Sequence, residues 1–146
     1  MVQSRPLERW DHLRLSKLWV LADKLCVSQL QNDVMAHLVQ SWRTTQCSLH
    51  FGIPQYVYQN TLPESKLQRM TVDMCAWGMD ERVVEIHRNE MPPESLADLA
   101  LVLMRRSKRY YACDKPPFEF DMKHYLVPDN GPNGRFTSTY SRGSRY

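Results

Sequence analysis

The chain has 146 residues and a mass of 17.3 kDa, which corresponds to one domain with a modest hydrophobic core. Hydrophobic residues make up 42% of the sequence and charged residues 24%, which is typical of a folded globular protein. No apolar run reaches the ~20 residues of a membrane span, and the first residues lack the apolar segment of a signal peptide. We therefore expect an intracellular protein, in the cytoplasm or the nucleus.

Charge is distributed unevenly along the chain. Residues 1–104 contain ten Lys and Arg against twelve Asp and Glu, a net charge of −2. Residues 105–146 contain nine Lys and Arg against four Asp and Glu, a net charge of +5. The overall charge of +3 therefore arises in the C-terminal part of the chain.

The cysteines are scattered singly, which favours free thiols in a reducing compartment over disulfides. They are Cys26, Cys47, Cys75 and Cys113. Cys47 and His50 form a C-x-x-H pair, and Cys113 precedes His124, but a zinc site needs about four ligands at defined spacing. Because the second half of such a site is missing, we predict no metal and no cofactor.

Two amphipathic helices joined by a very short connection are predicted near the N-terminus. The first helix should run from about residue 12 to 25, and the second should start near Ser28. The residues that define their apolar stripes are Leu15, Leu18, Trp19, Ala22 and Leu25, followed by Leu30, Val34, Leu38 and Trp42. So short a connection requires antiparallel packing, so we predict a helical hairpin in which Leu18, Ala22, Leu30, Val34 and Leu38 are mutually buried.

Further helices are predicted over residues 53–60, after Pro63 up to Gly78, and over about 95–109. The residues expected to face inward in the last helix are Leu96, Leu99, Ala100, Leu103 and Met104. No segment has a convincing strand pattern. The predicted fold class is all-α: a helical hairpin plus two or three further helices.

The predicted helical domain spans residues 12–109, after an N-terminal extension over residues 1–11. Residues 110–146 are rich in Pro and Gly and lack periodic apolar positions, so burial cannot offset the entropy of ordering them. We therefore predict a mostly disordered, basic tail.

One stretch resembles a known family. The sequence LWVLADKLCVSQLQNDVM, residues 18–35, is similar to the C-terminal helical hairpin of a BTB (POZ) domain. The sequence YVYQNTLPESKLQRMTVD, residues 56–73, resembles the segment that follows the domain in many fungal BTB proteins. The resemblance covers about residues 9–80 and depends on the order of the two motifs.

The resemblance implies a non-catalytic protein–protein interaction module. A complete BTB domain also contains strands and helices before the hairpin, which have no counterpart here, so we expect the C-terminal part of such a protein. Family members associate with themselves and with cullins through surfaces that include the missing part, so cullin binding does not carry over to this chain.

With that part missing, one apolar face of the hairpin over residues 12–42 is expected to lack cover within the chain. A face of that kind marks a site for a partner or for self-association. The residues expected to form the contact are Leu15, Trp19, Leu30, Val34 and Trp42.

Nothing in the sequence indicates an enzyme. The five histidines lie far apart without a nucleophile or base at motif spacing, and there is no glycine-rich phosphate loop. Four glutamates over residues 81–94 are interpreted as a solvated acidic face rather than as metal ligands.

The sharpest charged feature is RRSKR, with Arg105, Arg106, Lys108 and Arg109 around Ser107. We favour the interpretation that these cations lie at the C-terminus of a helix and complement its dipole. The alternatives are a nuclear-import signal, a kinase target at Ser107 or a nucleic-acid contact. Together with Arg and Tyr in the last residues, this patch defines the alternative function, a nucleic-acid-associated or nuclear protein whose binding weakens steeply with salt.

Overall fold

The computed structural model describes residues 11–45, 52–108, 115–119 and 121–128. These residues form six α-helices and two 3₁₀ turns, and they contain no strand, which confirms the all-α prediction. The helices are α1 (Asp11–Lys24), α2 (Ser28–Thr45), α3 (Gly52–Asn60), α4 (Lys66–Gly78), α5 (Glu81–His87) and α6 (Pro93–Lys108). The 3₁₀ turns are Pro117–Glu119 and Met122–Tyr125.

The helices α1 and α2 pack along each other and form the predicted hairpin. The chain reverses in a Schellman motif, in which the Val27 N–H donates to the Ala22 carbonyl at 2.9 Å and the Cys26 N–H to the Asp23 carbonyl at 3.1 Å. Cys26 takes the left-handed position of this motif, with φ of 55°. Since the Val27 carbonyl accepts the first bond of α2 from Gln31, Val27 rather than Ser28 is the capping residue.

The helix α4 is the centre of the molecule. It packs against α3, α6 and the 3₁₀ turns, and eight of its residues are buried. Its N-terminus is fixed by a variant of the capping box, because the Ser65 Oγ accepts from the Gln68 N–H at 3.2 Å. The Gln68 side chain in turn accepts from the Glu64 N–H at 3.0 Å. Such capping satisfies donors that would otherwise be left without partners in a partly buried place.

The helix α5 was not predicted. It has seven residues, none of them buried, and so short a segment offers too few apolar positions (Val83, Val84 and Ile86) for periodicity to identify a helix. It begins at the Asp80 cap, whose side chain accepts from the Arg82 N–H at 3.2 Å. The described residues thus contain four helices beyond the hairpin instead of two or three.

The helix α6 packs on α3 and α4 with a narrower face than predicted. Leu99 is buried and Leu96 half-buried, but Ala100, Leu103 and Met104 are exposed, so the prediction that these three face inward is wrong. Two polar contacts add to this packing. The Tyr58 hydroxyl donates to Asp98 Oδ2 at 2.6 Å, and Arg106 donates to the Ala76 carbonyl at 3.1 Å.

Residues 115–119 and 121–128 pack on α2 and α4, and we call them the C-terminal clasp. Phe118 and Tyr125 are 0% and 1% exposed and belong to the hydrophobic core. The sequence assigned residues 110–146 to a mostly disordered tail and did not identify the clasp as an ordered part of it. Phe118, Met122 and Tyr125 do recur at helical spacing, but the segment is short and lies between Pro116–Pro117 and Pro128, a composition that is typical of a loop. The remaining residues of the predicted tail, and residues 1–10 of the predicted N-terminal extension, lie outside the described residues, while Asp11 begins α1.

Candidate protein-interaction site

The five residues predicted to contact a partner belong to the core or lie against it. Trp19, Val34 and Trp42 are buried, and Leu15 and Leu30 are half-buried and pack against the core. The side of the hairpin that they form is covered within the chain, because α3 packs on α1 and Phe118 meets the Trp42 ring edge-on at 5.5 Å. Trp19, Val34 and Trp42 therefore present almost no surface to a partner in this conformation, and Leu15 and Leu30 present only part of theirs.

The outer face of α1 carries apolar side chains instead. Leu18, Leu21 and Leu25 are 38%, 50% and 62% exposed, and Val27 continues the patch into the turn with 41%. The three leucines recur at spacings of three and four residues and so form one stripe along the helix. The prediction that Leu18 is buried in the hairpin is wrong, because α1 is apolar on two sides and turns Trp19 and Ala22 inward.

Cations border this stripe. Arg14 precedes Leu18 by one turn, and Lys17 and Lys24 lie on one side of the stripe by helical geometry; all three are exposed. The Lys17 ammonium lies 5.7 Å from the centre of the Tyr56 ring, which holds its side chain toward α3. The exposed carboxylate of Asp23 accepts from Gln31 Nε2 at 3.0 Å, on the side facing α2. The surface is therefore apolar with a positive edge.

A second exposed apolar face lies on α6. Its largest members are Leu101 and Met104, one turn apart, with Leu103 beside them. Asp98 and Arg105 lie on the same helix, so no single sign of charge borders this face. It lacks the electrostatic character of the α1 stripe.

The basic patch lies at the C-terminus of α6, as the helix-dipole interpretation expects. Arg106 stacks on the Trp77 ring at 4.5 Å and donates to the Ala76 carbonyl in the last turn of α4. It therefore stabilises the fold in addition to contributing charge. Arg105 is exposed, and the side chains of Lys108 and Arg109 lie outside the described residues.

A polar groove of about 730 Å³ lies between α3, the start of α4, the residues that follow α5, and the start of α6. Glu64, Glu90, Glu94 and Asp98 contribute acidic groups to its walls. Burial and the hydrogen bond to Asp98 raise the pKa of Tyr58, so its hydroxyl stays protonated and acts as a donor.

Of the two cysteines in the described residues, Cys26 is exposed and Cys75 is buried. Burial raises the pKa of the Cys75 thiol to about 12, which makes it inert as a nucleophile. The parts of the chain that the structure describes contain no group of three or more residues able to hold a metal ion. Cys47, His50 and Cys113, considered for zinc, lie outside those parts.

No helix in the described ranges is long and apolar enough to cross a membrane. Comparison with protein families, with curated proteins and with solved structures found no match to this chain.

Proposed function

We propose that the protein is a non-catalytic protein–protein interaction module, similar to the C-terminal portion of a BTB domain, and that the outer face of α1 is its contact surface. The observation that carries this proposal is the exposed stripe of Leu18, Leu21 and Leu25. Contiguous apolar side chains on a folded surface usually mark a site that a partner covers.

The charged residues that border the stripe indicate the kind of partner that would bind it. Arg14, Lys17 and Lys24 favour acidic side chains opposite them, so the best-matched partner is an amphipathic helix with apolar residues at helical spacing and Asp or Glu beside them. A second copy of α1 fits less well, because Lys17 and Lys24 of the two copies would approach each other. We therefore propose that this surface binds a different protein rather than a second copy of the chain.

The resemblance to the BTB hairpin is supported by the roles of its motif residues. Ala22 is fully buried beside the turn, where a larger side chain would separate the helices. Asp23 and Gln31 bond across the hairpin, and Asn32 holds the backbone of Val127. Ala22, Asp23 and Gln31 thus act within the hairpin, as a shared hairpin requires, and Asn32 joins it to the C-terminal clasp.

A synthetic helix tests the contact directly. The probe carries leucines at spacings of three and four residues, flanked by glutamates, and a matched control peptide replaces the glutamates with lysines. We expect the acidic peptide to shift backbone NMR signals of α1 and to bind more tightly than the basic one. The double variant Leu21→Ser/Leu25→Ser should lose this response.

The variant Leu101→Ser on α6 is the matched control, since it removes an equally exposed leucine from the other apolar face. It should bind the acidic peptide as the wild type does. Binding should persist at high salt with a modest loss, because burial of the leucines supplies most of the free energy. Equal responses to both peptides, or a response that the α1 substitutions leave unchanged, would contradict the proposal.

A further inference from the structure

The groove between α2 and α4 that holds the C-terminal clasp has the features of a peptide-binding site. Phe118 meets Trp42 edge-on, and Tyr125 lies 6.3 Å from Phe118 in a second edge-to-face pair. The Tyr125 hydroxyl donates to Asp73 Oδ2 at 2.6 Å at the bottom of the groove. Two aromatic anchors in separate, closely packed positions are the pattern by which proteins recognise short segments.

The groove also recognises main chain. Asn32 donates from Nδ2 to the Val127 carbonyl at 2.9 Å and accepts the Val127 N–H on Oδ1 at 2.7 Å. One side-chain amide thus satisfies both polar groups of a single residue, as a neighbouring strand would do. This contact depends on an extended backbone and not on the side chain of Val127.

The clasp has little structure of its own. Its internal backbone hydrogen bonds outside the 3₁₀ turns are Glu119 N–H to the Pro116 carbonyl and Asp121 N–H to the Pro117 carbonyl. Segments of this length are not stable in isolation, so the groove imposes the conformation. The clasp therefore relates to the groove as a bound peptide relates to its receptor.

We infer that the α2–α4 groove is a segment-recognition site that accepts residues 115–128 of a second copy of this chain as well as its own. The second copy is the occupant because its clasp is, by identity of sequence, complementary to the anchor positions and to Asn32. The exchange leaves every contact of the site intact and replaces only the connection between α6 and the clasp. It gives an assembly in which each copy completes the core of the other.

Concentration controls the exchange. The clasp follows α6 after residues 109–114, and so short a connection corresponds to an effective concentration on the order of millimolar in the closed form. A second copy at lower concentration competes poorly until the closed clasp is weakened. The site can therefore be tested with variants in which the chain's own clasp binds the groove more weakly, to which a separate peptide with the wild-type clasp sequence is added.

A labelled peptide of residues 115–128 is the probe, and the full chain with Phe118→Ala is the receptor. This receptor keeps the groove but lacks its own first anchor. We expect saturable binding with a rise in Tm, and about hundredfold weaker binding by the peptide that carries the same Phe→Ala change, as for loss of a buried aromatic anchor. The full chain with Tyr125→Phe, which creates no cavity, is the second receptor and should bind the wild-type peptide more weakly than the first.

A variant of the groove distinguishes specific peptide binding from nonspecific binding. In Asn32→Leu combined with Phe118→Ala, the main-chain contact is lost, and peptide binding should fall by about tenfold. Two full-length variants should also exchange the clasp when mixed. The Phe118→Ala chain has an intact groove and a defective clasp, and the Asn32→Leu/Asp73→Leu chain has the reverse. Together they should form a 1:1 complex, which sedimentation detects. Failure of the wild-type peptide to bind either receptor, or equal binding of the wild-type and Phe→Ala peptides, would overturn the inference, whatever the outcome for the α1 surface.

Discussion

The hairpin α1–α2 and the C-terminal clasp stabilise the same core in opposite ways. The hairpin repeats apolar residues every three or four positions and closes through contacts that are near in sequence. The clasp contributes Phe118 and Tyr125 and reaches partners far away in the chain, such as Asp73 and Asn32. In the hairpin, many side chains therefore each contribute a little to the free energy of unfolding. In the clasp, most of the contribution comes from two anchors and a few polar groups.

This difference affects how each region responds to change. A hairpin that loses one side chain keeps the rest of its interface, and its helices still have their own hydrogen bonds. A clasp that loses an anchor has no internal structure to hold it in place. We therefore expect the largest single effects in the clasp, although it is the smaller region.

The largest expected effect is that of Phe118→Ala. The side chain is fully buried between Trp42 and Tyr125, so its removal should lower the free energy of unfolding by about 3–5 kcal/mol, as for other buried aromatic residues. Denaturant titration followed by tryptophan fluorescence measures the loss. Met122→Ala, at a half-buried position of the same segment, should cost less. A loss below about 1 kcal/mol for Phe118→Ala would show that the clasp does not contribute to the core.

In the hairpin, Ala22→Leu should have a moderate effect. Ala22 is fully buried, and the three added carbons of leucine force the helices apart, at a cost of about 1–3 kcal/mol. Leu21→Ala is the control, because this neighbouring residue is half exposed on the outer face and should change stability by less than about 0.5 kcal/mol. Thermal unfolding distinguishes the two, and the opposite order of effects would mean that α1 is rotated about its axis.

The Asp73–Tyr125 pair makes the clasp sensitive to pH. Burial raises the pKa of Asp73 above its usual 3.8, although Tyr125, Arg69 and Arg105 act in the other direction. The folded state therefore binds this proton more tightly than the unfolded state. Between pH 3.8 and the raised pKa, the contribution of Asp73 to stability falls as pH rises and returns as pH falls.

Asp73→Asn tests this dependence, because asparagine still accepts the bond from Tyr125 but does not titrate. We expect the difference in unfolding free energy between wild type and variant to change with pH through this window and to be constant above the raised pKa. Urea titrations at several pH values measure it. A difference that is flat at every pH would mean that Asp73 has the same pKa in the folded and unfolded states.

The smallest expected effect is a gain from Cys26→Gly. Cys26 has φ of 55° at the turn of the hairpin, a conformation that costs a side-chain-bearing residue about 1–2 kcal/mol and glycine very little. The greater flexibility of glycine in the unfolded chain offsets part of this. We expect a net gain of up to about 1 kcal/mol, seen as a small rise in Tm. Cys26→Ala keeps the strain and should give no such gain.

The sequence by itself determined the elements that depend on local physics. The break at Cys26 and Val27, a helix between Pro63 and Gly78, a helix after Pro92–Pro93, and the stripes through Trp19 and Ala22 in α1 and through Val34 and Leu38 in α2 follow from periodicity and capping, and the structure contains them. Each involves residues within a few positions of one another, so the spacing alone carries the information. The all-α fold class follows from the same local signals.

The tertiary structure alone decided which of two apolar faces of α1 is covered and where the chain after α6 lies. Gly78 shows the reason. The sequence predicted a helix end there, but Gly78 has no positive φ, and a Cβ at this position would collide with the Trp42 ring. The glycine is needed because a side chain 36 positions earlier packs against it. Contacts between distant residues depend on how helices pack in space, and spacing along the chain does not contain that information.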